Sequence, residues 1–260
     1  MIPLTAAALA GVCLEGSLPQ GPLTVSTQPA DLGKQRNPCM RTEVGLTGGA
    51  ALLVDTADFY GRIQLLGAVD GRVELFDERM TVDFGIEPFR GDTVIAPITV
   101  SAGGLGATYL GATYGIHGDQ KSLISASTRL VLPTAAGYQN QRPLAADIGL
   151  TGVYQWTGKT QIHGGLTLYG RRMLGSGPAV PRAGLSGLVG LAWNASPHFG
   201  LVLDLPVSAA WTAPFDYLAL SPGLRVGTGR WSAELGFMAP LVGGDRTLVA
   251  VDLRTAIRFD

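Results

Sequence analysis

The sequence predicts an all-β fold: a closed, antiparallel, up-and-down transmembrane β-barrel of about 12 strands. Three observations predict it. Charged residues make up only 15% of the 260, against roughly 25% in an ordinary soluble domain. Glycine takes 37 positions, about twice its usual share of ~7%. From residue 41 onward, apolar residues alternate with polar or small ones at period two, and tight connections alternate with longer ones. The apolar share of 46% excludes a disordered chain, which lacks apolar residues and carries more charge. No run of about 18 apolar residues suggests a spanning helix. A net charge of −1 and a pI near 6.3 point to no nucleic-acid partner.

Residues 1–14 are apolar and the first charged residue is Glu15. They look like the core of an export signal with Ala8 and Ala10 as its cleavage pair, although the first basic residue is Lys34. The alternative is an apolar segment that packs against the body. Cys13 and Cys39 are the two cysteines; in an oxidising envelope they can pair and tie this segment down. With no adjacent histidine pattern they make no zinc site, and no metal is expected. Val12 stands where a lipoprotein signal wants a small residue. Residues 16–40, rich in Pro, Gly, Ser and Gln, read as irregular. The expected division is a signal-like, irregular segment over 1–40, periplasmic or plugging the lumen, and a barrel over 41–260.

Twelve strands follow, at 43–54, 59–68, 72–87, 104–117, 121–132, 144–156, 160–169, 185–194, 199–210, 217–227, 231–238 and 249–259. In the first, Val44, Leu46, Ala50, Leu52 and Val54 oppose Glu43, Gly45, Thr47, Gly49 and Ala51. In the sixth, Leu144, Ile148, Leu150, Tyr154 and Trp156 oppose Asp147, Gly149, Thr151 and Gln155. A parity change at Asp77–Arg79 reads as a bulge within the third strand. Tyr109 and Tyr114 fall on opposite faces of the fourth.

Tight links are expected at Val69-Asp70-Gly71, 117–120, 157–158, 195–197 and 228–229, and longer loops at 88–103, 133–143 and 170–182. Short turns at one end and longer loops at the other, with an even strand count, suit an outer-membrane barrel. Lipid forbids an open sheet edge, so the wall must close. Phe59, Tyr60, Tyr154, Trp156, Trp193, Trp211, Tyr217 and Trp231 suit an interfacial girdle. A soluble sandwich or lipocalin-like barrel would share the alternation, but its surface would need more charge than this chain has.

By parity the lumen receives Glu43, Arg129, Asp147, Gln161, His163, Arg225, Glu234, Asp252, Arg254 and Arg258. Both signs are present, so paired networks are expected rather than a one-signed pore. Glu43 is expected to meet strand twelve at the closing seam, and His163 to approach Asp147 on the neighbouring strand. No catalytic constellation emerges: Gly184-Leu185-Ser186-Gly187 lacks the spacing of a nucleophile elbow, and no metalloprotease or P-loop motif occurs. No reaction and no cofactor are expected.

Gly104-Leu105-Gly106-Ala107 followed by Tyr109-Leu110-Gly111-Ala112-Thr113-Tyr114 resembles a stretch typical of the outer-membrane transporter family named for the meta-pathway of phenol degradation. Residues 130–135 resemble its next strand, 67–75 its YGLTDRLEL hairpin, and Ala256-Ile257-Arg258-Phe259 its closing strand. Ala107 stands where the family has Asp, Ala135 where it has Gly, and Asp260 follows the terminal aromatic. The resemblance implies a porin-like channel or carrier in the bacterial outer membrane, passing small, apolar or aromatic molecules. Outer-membrane lipid, the solute and the barrel-assembly machinery are the partners it implies. The alternatives are a structural or partner-binding barrel with an occluded lumen, and a barrel lipid hydrolase.

Overall fold

A computed structural model of the chain describes Cys13, residues 18–23, Val25 and 35–259, except 56–59, 77–78, 96–99, 137–140, 176–181, Thr212 and 244–245. The strands are β1 (Thr42–Asp55), β2 (Tyr60–Leu75), β3 (Met80–Ile95), β4 (Val100–Gly104), β5 (Thr108–Gly118), β6 (Ser122–Leu132) and β7 (Gln141–Gln155). They continue with β8 (Thr160–Gly175), β9 (Arg182–Ser196), β10 (Phe199–Ala210), β11 (Ala213–Thr228), β12 (Trp231–Gly243) and β13 (Arg246–Phe259).

Successive strands pair antiparallel, and β1 pairs β13 along Thr42↔Phe259 to Val54↔Arg246, which closes the wall. β4 and β5 both lie against β3, β4 along Arg90–Val94 and β5 along Met80–Ile86. They are two halves of one broken strand, so the barrel has twelve staves. At the break, the Glu87 carboxylate accepts the Ala107 N–H at 3.2 Å, and Gly106 leaves space for the Glu87 side chain.

The alternation turns the apolar rows outward. Leu46, Ile148 and Leu253 expose 58%, 60% and 52% of their surface, whereas Arg129, His163 and Arg225 expose 2% or less. This is the reverse of a soluble barrel, and in lipid it buries the Leu and Val rows while the lumen keeps the charges. Tyr154, Trp156, Trp193, Phe199 and Trp231 stand exposed at the end where β1 begins and β13 finishes, and Trp211 at the other. Phe59 and the side chains of Tyr60 and Tyr217 fall outside the described residues.

One expected hairpin is displaced. Val69-Asp70-Gly71 is the interior of β2, not a turn, and the chain reverses between Leu75 and Met80, where the parity change reads as a bulge within one strand; Asp77 and Glu78 lie outside the described residues. Phe76 adopts φ 57° and accepts the Arg79 N–H at 3.3 Å. Asp-Gly has the local chemistry of a turn, but here Asp70 pairs with Gly45 across β1 and Gly71 lies beneath the Phe84 ring. The loops expected at 88–103, 133–143 and 170–182 also shrink, because β3 runs to Ile95, β7 starts at Gln141, β8 reaches Gly175 and β9 starts at Arg182. The tight links near 117–120, 157–158, 195–197 and 228–229 stand where expected. In the first of these, the Lys121 and Ser122 N–H groups donate to Asp119 at 2.7 Å each. Those bonds, led by the one from Lys121, hold its carboxyl below the usual carboxylate range.

Candidate functional site: the lumen and the loop inside it

Inward rows face inward because the strand period is two, and antiparallel register sets opposite charges side by side. Arg129 faces Asp147 across β6–β7 and donates to it twice, at 2.9 and 2.6 Å. Arg225 faces Glu234 across β11–β12 at 3.2 Å, and Arg72 faces Asp83 across β2–β3 at 2.5 Å. Arg62 pairs with Asp92. At the seam, Arg254 on β13 reaches Glu43 on β1 at 2.9 Å and Asp70 on β2 at 2.7 Å. Asp252 lies buried over Gly49, and Arg258 is buried opposite Glu43. Gln161 donates to Gln155 Oε1 at 2.6 Å.

His163 does not meet Asp147. Its cross-strand neighbour on β7 is Val153, six residues along that strand from Asp147. Instead Nε2 lies 2.5 Å from Asp204 Oδ1 on β10, across the intervening β9. That reach is possible because Gly190 stands between them: a Cβ there would lie 2.0 Å from Asp204 Oδ1 and 2.3 Å from His163 Nε2. Gly190→Ala is therefore expected to break the bond and lower stability by roughly 1–3 kcal/mol, the cost of orphaning a buried polar group. Denaturant unfolding of the reconstituted barrel checks it; an unchanged midpoint would show that the pair contributes nothing.

The described residues of the N-terminal segment, Cys13, 18–23, Val25 and 35–40, lie inside this polar lumen. Cys13 and Cys39 are joined by a disulfide, with Cα atoms 5.7 Å apart, and pack on Leu123 and Val153 at the near rim. Described residues of the segment lie against β10–β12: Leu18 fits over Gly200, Leu23 over Gly223 and Val25 over Gly236. Gln35 lies against β7 and β8, sitting over Gly165 and accepting from Thr151 at 3.3 Å. Wall glycines are thus the sockets that receive these residues. Prolines supply carbonyls without N–H groups, and the wall answers with donors. Arg225 donates to the carbonyls of Pro19, Gly21 and Pro22 at 2.7, 2.7 and 3.1 Å. Arg72 donates to Cys39 at 3.0 Å, Ser125 to Pro38 at 3.0 Å, and Arg41 to the Cys13 carbonyl. The Leu23 N–H donates to Asp204 at 2.6 Å, joining the loop to the His163 pair.

Beside the loop a polar cavity of about 100 Å³ remains. β1, β2, β3 and β13 line it with Glu43, Asp70, Asp83, Glu87, Arg72 and Arg254, and the loop adds Arg36. Tyr109 closes one side, its ring centroid 5.6 Å from both the Arg36 and Arg129 guanidinium carbons. Sequence reasoning missed Asp70 and Arg72, because they were assigned to a turn and its margin. It also missed the loop contacts, because an irregular segment has no period to read.

A closed wall, an apolar exterior and a polar interior define a transmembrane β-barrel of the bacterial outer-membrane type. No family model matches the chain, and no curated protein does. Among solved structures it is similar to an outer-membrane channel of Pseudomonas putida F1, at 14% identity and a TM-score of 0.64, covering 90% of this chain and 100% of that one. It is also similar to the β-domain of the Bordetella autotransporter BrkA (12%, TM-score 0.55, covering 84% and 100%). A third likeness is to the translocator domain of the autotransporter NalP from Neisseria meningitidis (13%, TM-score 0.53, covering 88% and 90%).

Proposed function

We propose that this chain is an outer-membrane channel for small molecules whose lumen is narrowed by its own N-terminal loop, and that it catalyses no reaction. The carrying observation is the charged cavity beside a loop docked by side-chain contacts rather than built into the wall. Membership of the phenol meta-pathway transporter family is part of the proposal, supported by the motif resemblance. So is the signal-like reading of the first residues, which would leave Cys13 in the exported chain.

The cavity carries more carboxylates than guanidinium groups, Glu43, Asp70, Asp83, Glu87 and Glu234 against Arg36, Arg72 and Arg254. Such a lining favours cations. Tyr109, Leu66 and Ala68 give it one apolar side, which suits a small aromatic molecule bearing positive charge. In a planar bilayer the full-length protein is expected to conduct weakly, with the reversal potential in a salt gradient displaced toward the cation. A silent bilayer would instead favour the occluded, partner-binding barrel, a reading the seated loop also supports.

A further inference from the structure

Among the strand residues whose side chains are described, Arg142 on β7 and Arg172 on β8 are the two that place a charge on the outward row; both are exposed. They are diagonal neighbours, since Arg142 pairs with Leu174 and Arg172 with Leu144. Such diagonals lie ~7–8 Å apart, within reach of long side chains. Neither takes part in an ion pair among the described residues. The adjoining loop sequences, 133–140 and 176–181, contain no carboxylate.

Their height is the second observation. From Tyr154, in the near-rim girdle, β7 climbs ten residues to Leu144, the partner of Arg172. At ~3.4 Å per residue and ~40° tilt that is about 26 Å, against ~25 Å for the apolar band of such barrels. The two residues therefore stand at the far margin of the band, on the side away from the start of β1 and the end of β13. Two unpaired like charges at a lipid headgroup level repel each other unless an anion lies between them, and guanidinium groups bind phosphate in a bidentate geometry.

We infer that Arg142 and Arg172 form an exterior site for the phosphate groups of a phosphorylated outer-leaflet lipid. The inference rests on the lipid-facing exterior and on neither the loop nor the cargo. Full-length protein in detergent would be titrated with bisphosphorylated lipid A and with the same lipid enzymatically dephosphorylated, binding being read by native mass spectrometry. At about tenfold or less per basic residue near a charged surface, the R142Q/R172Q protein is expected to bind lipid A on the order of 10- to 30-fold more weakly. R142K/R172K, which keeps the charge but loses the bidentate fork, should bind between the wild-type and glutamine proteins, and dephosphorylation of the lipid should weaken wild-type binding about as much as the glutamine changes do. Equal binding of the two lipids by the wild-type protein overturns the proposal, even if the glutamine variant fails to fold. Full competition by millimolar inorganic phosphate would mean a free-anion site and overturns the lipid assignment.

Discussion

Excision of residues 13–39 is expected to raise single-channel conductance by at least ~10-fold, because ion flow through a barrel is set by its narrowest open section. The wall does not depend on the loop for its backbone hydrogen bonds. Its twelve staves close through β1 and β13, so the shortened chain should still shift on a gel only after boiling. What the wall loses is side-chain packing at Gly200, Gly223, Gly236 and Gly165, and carbonyl acceptors for Arg225 and Arg72. Water entering an emptied lumen can hydrate both guanidinium groups. The excision should also abolish the loop's share of the cavity, Arg36 included, and so deepen the cation preference. If the folded, shortened barrel conducted no more than the full chain, the loop would not be the barrier, and the occlusion would have to lie in the outer loops.

The wall was legible because period two is a local property. Leu144 to Trp156 announces an outward row of Leu, Ile and aromatic side chains without reference to any other strand. The misplaced hairpin shows where local chemistry stops being enough. Asp70-Gly71 and the 76–79 segment both look like reversals, and only the strand lying opposite decides between them. Gly45 and Arg254 accommodate Asp70 as a strand residue, and neither can be identified as its partner from residues 67–75.

The site was legible in kind and not in its pairings. Inward parity marks His163, Asp147 and Asp204 alike, and the choice of partner depends on a glycine on the strand between. Gly190 makes the reach from β8 to β10 possible, and its meaning appears only when three strands are in register. The inward glycines show in the sequence as an excess. Their role as sockets needed the position of a segment whose carbonyls bind Arg225 some two hundred residues further along. An irregular, proline-rich stretch carries no periodic trace of where it docks.

Replacing Arg225 by Met should release the loop while leaving the wall closed. The buried guanidinium makes three bonds to loop carbonyls and one to Glu234. Hydrogen bonds to a charged group contribute ~1.5–3 kcal/mol each when made in a dry site. Discounting for water that can enter the vacated space, a loss of about 3–4 kcal/mol in loop docking is expected, which raises the undocked population by roughly 10²–10³-fold. Limited proteolysis should then cut within 18–25, and current traces should flicker to the level of the excised protein. Glu234 complicates the reading, since a carboxylate stripped of its partner could expel the loop by itself. The double replacement R225M/E234Q separates the causes. If the carbonyl contacts hold the loop, the double variant stays protease-sensitive and keeps flickering. If loop protection returns once Glu234 is neutral, Arg225 acts only by shielding that charge, and the docking rests on Asp204, Arg72 and the packed glycines.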